Sequence, residues 1–287
     1  MQTFILRTLT ALLLVTTLLF VSAHTCFAEE NLQQDIQKYT KAIELNPHHA
    51  RAYKLRGNTY YRLRQYERAI QDLDKAIQLN PDDAMTYALR GNAYRTLKQY
   101  EQAIQDYSKA IQLNLNDVNV YKLRSNAYLN LGQYERAIQD SDKAIQFDPN
   151  DTLAYLDRGV AYFYLKKYEQ ALADVTKAIQ LNPNDDFAYQ FRGDAYFKLK
   201  QYERAIQDFD KAIQFDPNDA MTYFCRGTAH YYLKNYQQAI ADATKSIQLN
   251  PNFANAYYFR GKCYQALGDD AKAQADFAKA KKLSNKK

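Results

Sequence analysis

Arginine and aspartate recur along the chain at a spacing that would let them form ion pairs. An arginine appears every 34 residues, and an aspartate follows each one after sixteen residues. A guanidinium and a carboxylate can join through two parallel hydrogen bonds, which fix geometry without performing a reaction. The predicted structural ion pairs are Arg56 with Asp72, Arg90 with Asp106, Arg124 with Asp140, Arg158 with Asp174, Arg192 with Asp208, Arg226 with Asp242, and Arg260 with Asp276.

The remaining reactive side chains do not form a recognisable catalytic or metal centre. His48 and His49 are adjacent, but the sequence supplies no further ligands at the spacing of a tetrahedral metal site. His230 stands where tyrosine is usual and is predicted to be a packed core histidine. The sequence contains no phosphate-binding loop and no nucleophile elbow. We therefore predict a protein that is not an enzyme and that uses no metal or cofactor.

Three nearly identical stretches show that the chain is built from repeats. They are "QYERAIQDLDKAIQLNPDD" (65–83), "QYERAIQDSDKAIQFDPND" (133–151) and "QYERAIQDFDKAIQFDPND" (201–219). Prolines mark the same interval of 34 residues, with Leu115 in the one gap, which predicts one repeated supersecondary unit. The predicted divisions are a half repeat at 29–49 and seven full repeats at 50–83, 84–117, 118–151, 152–185, 186–219, 220–253 and 254–287.

Two helices per repeat follow from the spacing of apolar and small residues. Positions are counted from 1 at the first residue of each repeat. Positions 4, 8 and 11 share one face of a first helix, and positions 20, 24 and 27 share one face of a second. The arginine at position 7 and the aspartate at position 23 lie equally far from the turn, so we expect them to pair within each repeat. The alternative is that each arginine lays its stem on the core and reaches water.

Tyrosine at position 4, glycine or serine at 8, alanine at 20 and alanine or serine at 27 resemble the tetratricopeptide repeat. The resemblance implies an all-α fold, a right-handed superhelix or α-solenoid of seven helix-turn-helix repeats with an N-terminal half repeat. It also implies that the first helices line a concave groove, which binds a peptide or a partner helix.

The groove positions of this family can be carried over residue by residue. They give a polar and basic set, which is Arg51, Lys54, Asn58, Arg62, Asn92 and Asn126. They also give an apolar and aromatic set, which is Leu156, Phe163, Tyr164, Phe187, Phe197, Phe224, Tyr231 and Tyr232. We expect a ligand with apolar anchors at one end and acidic residues at the other. The alternative for the aromatic set is tighter packing of the protein itself or a closed superhelix.

Residues 1–28 differ in composition from the repeats. Arg7 precedes an apolar stretch, and Ala28 stands before two acidic residues, which is typical of an export signal. We therefore expect a periplasmic or secreted protein; the alternative is a membrane anchor formed by residues 8–27. After cleavage, Cys225 and Cys263 would remain, either as two thiols or as one bridge between helices.

Charge does not favour a nucleic-acid partner. The chain has 38 basic and 32 acidic residues, which are interleaved and give a net charge of +6. The expected partner is a protein or peptide, with membrane contact only if the anchor is retained. The alternative function is a structural component of an envelope assembly that associates with itself through its ends.

Overall fold

The computed structural model describes residues 29–115 and 117–285, and this part of the chain consists of α-helices joined by short turns, without a strand. Helix α1 covers 29–45. The helices that follow are α2 (Ala50–Arg62), α3 (Tyr66–Leu79), α4 (Ala84–Thr96), α5 (Tyr100–Gln112), α6 (Val118–Asn130), α7 (Tyr134–Phe147), α8 (Thr152–Tyr164), α9 (Tyr168–Leu181), α10 (Asp186–Lys198), α11 (Tyr202–Phe215), α12 (Ala220–Tyr232), α13 (Tyr236–Leu249), α14 (Ala254–Ala266) and α15 (Asp270–Ser284). The predicted all-α, helix-turn-helix fold is confirmed. The predicted export signal lies outside the described residues.

The helices form two compact units. One extends to Ala127 and holds α1 to α5 with the start of α6; the other begins at Tyr128 and holds the end of α6 with α7 to α15. Within each unit, a first helix packs against its own second helix, and that second helix packs against the first helix of the next repeat. None of the helices in 29–115 and 117–285 is long and apolar enough to cross a membrane.

Small residues bring the paired helices close together. The alanines at position 20 are buried in every repeat, for example Ala205 on α11. Gly193 on α10 faces the ring of Phe209, which is fully buried. A Cβ atom added to Gly193 would lie 2.7 Å from Cε1 of Phe209, which is too close for a real contact. Gly193 therefore lets the large ring of Phe209 fill the space between α10 and α11.

The turn between the helices of a repeat has a left-handed residue at position 15. Lys200 holds this place between α10 and α11 with φ of 59°, and Gly268 holds it in the last repeat with φ of 78°. The N–H of Gln201 donates to the carbonyl of Tyr196 at 2.9 Å, which closes the end of α10 as in a Schellman motif. In most repeats, a residue other than glycine thus adopts a backbone conformation that normally favours glycine.

Aspartates before the first helices act as N-terminal caps. The Oδ1 of Asp185 accepts a hydrogen bond from the N–H of Ala188 at 3.0 Å, and Asp151 and Asp219 cap α8 and α12 in the same way. His49 takes this role for α2, because its Nδ1 accepts from the N–H of Ala52 at 3.2 Å. One of the two adjacent histidines therefore has a structural task.

Candidate partner-binding surface

A two-bond ion pair joins the two helices of a repeat. Nε and Nη2 of Arg192 each donate to a different oxygen of Asp208, at 2.7 Å in both cases. The Asp208 side chain is only 7% exposed, and its hydrogen bonds raise the pKa of Arg192, so the guanidinium stays charged. Distances of 2.6 to 3.0 Å describe the same arrangement at Arg56, Arg90, Arg158, Arg226 and Arg260.

Arg124 and Asp140 belong to different units, and their pairing stays a prediction. Arg124 does donate from Nη1 to Oγ of Ser108, at 2.9 Å, within the first unit. Ser108 stands at position 25 of the preceding repeat. The sequence did not lead us to expect this bond between neighbouring repeats.

The arginine at position 7 of every repeat also donates a hydrogen bond from Nη1 to the residue at position 25 of the preceding repeat. Nη1 of Arg226 lies 2.6 Å from Oδ1 of Asp210, and Nη1 of Arg192 donates to Oγ1 of Thr176 at 3.3 Å. The expectation that the arginine pairs only within its repeat was therefore incomplete. The sequence held a signal, because position 25 carries an oxygen-bearing side chain before every arginine. These residues are Thr40, Asp74, Ser108, Asp142, Thr176, Asp210 and Thr244.

Exposed aromatic rings occur on the first helices α8, α10 and α12 of the second unit. Tyr164 is 55% exposed, Phe187 is 49% exposed and Tyr232 is 56% exposed. Leu153 and Met221, on α8 and α12, are also exposed. We call these five residues the aromatic face. Exposed apolar side chains thus recur at positions 2 and 13 of successive first helices, which makes this face a candidate binding surface.

Other members of the predicted aromatic set are half-buried and pack against neighbouring repeats. They are Phe163, Phe197, Phe224 and Tyr231. The ring centroids of Phe163 and Phe191 are 4.9 Å apart, and those of Phe197 and Tyr232 are 5.4 Å apart. The predicted set therefore serves both purposes, because some rings support the exposed ones.

The assignment of Leu156 to the groove was wrong. Leu156 is only 5% exposed and belongs to a buried cluster with Ile179 and Phe191. Phe191, at position 6 of the next repeat, belongs to the same buried cluster as Leu156, which we had expected to line the groove.

The polar set in the first unit is partly engaged within the protein. Lys54 lies 2.7 Å from Asp83, and Asn92 accepts a hydrogen bond of 2.8 Å from the hydroxyl of Tyr107. Although burial of Asp83 opposes the effect, the hydrogen bonds from Lys54 and Thr86 hold the pKa of this carboxyl below its usual range. The other members are Arg51 and Arg62, which are exposed, and Asn58 and Asn126, which are half-buried.

A cavity of about 170 Å³ lies between α10 and α12, with α11 beneath it. The side chains of Cys225 and Asp194 both line it, and burial raises the pKa of the Asp194 carboxyl to about 6. Cys225 and Cys263 are free thiols. The lining residues are Asp194, Phe197, Lys198, Phe209, Phe224, Cys225 and Thr228.

No cluster of histidine, cysteine, aspartate or glutamate in 29–115 and 117–285 is arranged to hold a metal ion. His230 has an Nδ1 atom that is buried without a hydrogen-bond partner, and it lies on α12 beside the position-7 arginine. The described residues thus offer an exposed apolar surface and a cavity beside Cys225, an arrangement that suits binding.

The tetratricopeptide repeat model matches residues 50–83, 84–117, 152–185 and 220–253. A second repeat model of the same kind matches residues 125–165 and 193–234, and a third matches residues 254–287. The chain belongs to the tetratricopeptide repeat family.

Solved structures of other tetratricopeptide repeat proteins resemble this chain. YrrB, described as having an unusual peptide-binding site, is 26% identical with a TM-score of 0.59, over 68% of this chain and 97% of its own. A crystal structure of MamA is 25% identical to this chain with a TM-score of 0.54. The match covers 56% of this chain and 95% of MamA. A tetratricopeptide repeat protein from Parabacteroides merdae shares the fold. It is 23% identical with a TM-score of 0.65, and the match covers 86% of this chain and 93% of that protein. A comparison with curated proteins gave no match.

Proposed function

We propose that this tetratricopeptide repeat protein is a non-catalytic scaffold that binds a peptide or a helix of a partner protein on its first helices. The observation that carries the proposal is the aromatic face, whose rings on α8, α10 and α12 are about half exposed. Large rigid rings lose little conformational freedom on binding and bury much apolar area, so they are frequent anchors of protein interfaces.

The likeness to YrrB supports a peptide as the ligand. That protein has a peptide-binding site, and its identity to this chain is 26%. The helices that carry the aromatic face are also free to accept a helix laid across them, since helix-in-groove binding uses apolar anchors on successive turns.

We also propose that the protein acts outside the cytoplasm. The support is the pattern of residues 1–28, with Arg7, an apolar stretch and Ala28 before two acidic residues. The partner would then be a protein of the cell envelope or a secreted protein.

Capture of partners from an envelope fraction tests the binding surface. A triple variant, Tyr164→Asn, Phe187→Asn and Tyr232→Thr, uses residues that other repeats carry at the same positions, so we expect it to fold. We expect this variant to recover partners at least about tenfold less well than the unchanged chain, since each lost anchor costs over about 1 kcal/mol.

The matched control changes exposed rings on the second helices. Phe147→Ser and Phe215→Ser alter residues that are 52% and 39% exposed near the ends of α7 and α11. We expect this control to capture partners as the unchanged chain does. Equal recovery by the triple variant and the control would contradict the proposed surface.

A further inference from the structure

The cavity between α10 and α12 exists because one repeat has a small residue at position 6. Cys225 stands there, and it follows Phe191 at the same position of the previous repeat. The residues at position 6 of the other repeats are Leu55, Leu89, Leu123, Asp157, Phe191 and Phe259. Five of these six side chains are large and apolar, so the thiol leaves a volume that leucine or phenylalanine fills elsewhere.

The walls of this cavity are aromatic, and one of its polar groups is a hydrogen-bond acceptor. The rings of Phe197, Phe209 and Phe224 contribute from three helices. Asp194, on α10, brings a carboxylate, and the Cys225 side chain lines the same cavity from α12. A carboxylate has about four lone-pair sites, so it can accept a hydrogen bond from a ligand.

A second charge limits the ligands that suit this cavity. Lys198 is exposed and lines the cavity one helical turn after Asp194, and its ammonium partly offsets the charge of the carboxylate. A cationic ligand would meet repulsion from Lys198, and an anionic ligand would meet repulsion from Asp194. The complementary ligand is neutral and has an aromatic body with a hydroxyl donor at its tip.

The size of the cavity fits one ring. An engineered apolar cavity of about 150 Å³ accommodates benzene, and this cavity measures about 170 Å³. We propose that it binds a tyrosine side chain of the partner, with the tyrosine hydroxyl donating to the Asp194 carboxylate. This proposal rests on the proposed scaffold function, because the tyrosine belongs to the bound chain.

Small probes test the cavity without the partner. We expect 4-methylphenol to bind the full chain and to shift the backbone amide resonance of Thr228. Toluene should bind about tenfold more weakly, because it lacks the donor for a charge-assisted hydrogen bond. Binding of n-butylammonium that is tighter than that of 4-methylphenol, or equal affinity for toluene, would overturn the proposal.

Two variants taken from the other repeats locate the site. Cys225→Leu introduces the residue of position 6 in three other repeats and fills the cavity, so the 4-methylphenol shifts should disappear while the helical circular dichroism stays unchanged. Asp194→Val introduces the residue found at position 9 in the previous repeat, Val160, and should reduce the preference for 4-methylphenol over toluene. Unchanged 4-methylphenol binding by the Cys225→Leu variant would refute the site.

Partner capture then separates this proposal from the scaffold function. We expect the Cys225→Leu variant to capture partners more weakly than the unchanged chain. If it captures them equally well while the aromatic-face triple variant does not, the tyrosine site is wrong and the scaffold function stands. If neither variant loses the partner, both proposals fail.

Discussion

Arg192 on α10 and Asp208 on α11 form a buried ion pair with two hydrogen bonds of 2.7 Å each. The pair ties the two helices of one repeat at a fixed register. The Asp208 carboxylate is almost completely shielded from water, so its hydrogen bonds with the Arg192 guanidinium must replace its hydration. Loss of one partner would leave the other charge without a counterion.

We expect Asp208→Asn to lower the free energy of unfolding by about 3 kcal/mol, because Arg192 would stay buried without its counterion. Urea denaturation followed by circular dichroism measures this change. Asp210→Ser is the control, since position 25 carries serine in another repeat and the Asp210 side chain is 54% exposed. The control should cost less than about 1 kcal/mol. Equal losses in both variants would show that the pair adds no more than a surface contact.

Gly193→Ala should destabilise the protein by about 1 to 3 kcal/mol, because the new Cβ would lie 2.7 Å from the Phe209 ring. Thermal unfolding measures the effect. Adding Phe209→Ala relieves the clash, so the double variant should lose less stability than the sum of the two single variants. Simple additivity would mean that the glycine is not there to admit the ring.

Lys200→Gly should stabilise the protein by about 0.5 to 1 kcal/mol. Lys200 has φ of 59°, and a side chain in this left-handed conformation costs about 1 to 2 kcal/mol, part of which is offset by the greater freedom of glycine in the unfolded chain. Gly132 and Gly268 already hold this position in two repeats. Lys211→Gly, at an exposed position inside α11, is the opposite control and should destabilise. A lower melting temperature for Lys200→Gly would contradict the strain argument.

His230 should make stability depend on pH. Burial lowers the pKa of His230 below its ordinary 6.5, and nearby Arg226 adds to the effect, while Asp242 and Asp210 oppose it. The unfolded chain therefore takes up a proton at higher pH than the folded chain does, so the free energy of unfolding falls as the pH drops through about 6.5. His230→Tyr restores the residue found at position 11 in the other repeats.

We expect the His230→Tyr variant to lose less stability than the unchanged chain when urea denaturation is compared at about pH 7.5 and about pH 5.5. Both proteins share all other titrating groups, so the difference between them isolates His230. The same loss in both would show that this histidine titrates alike in the folded and unfolded states.

The spacing of the sequence was sufficient to predict contacts inside one hairpin. Positions 7 and 23 are equidistant from the turn, and helical geometry alone brings Arg192 to Asp208. Contacts between repeats depend on how neighbouring hairpins pack, which the spacing within one hairpin does not determine. The bond from Arg192 to Thr176 was missed for this reason.

Burial at the candidate surface could be predicted only in part. The family positions located Tyr164 and Tyr232 on the exposed side, but they also selected Leu156, which Phe191 covers. The cavity beside Cys225 is a missing volume, and a missing volume becomes visible only when the side chains of three helices are placed together. The signal that could have indicated it was a small residue at a position that is otherwise large.

The arginine contacts have the same sequence offset in both directions. Arg226 bonds Asp242 sixteen residues later and Asp210 sixteen residues earlier, and Arg192 does the same with Asp208 and Thr176. Removal or duplication of any internal block of one period would therefore bring an equivalent acceptor to each arginine. Such an array can grow or shrink by whole blocks during evolution without redesigning its joints, while the rings and the cavity of individual blocks diversify.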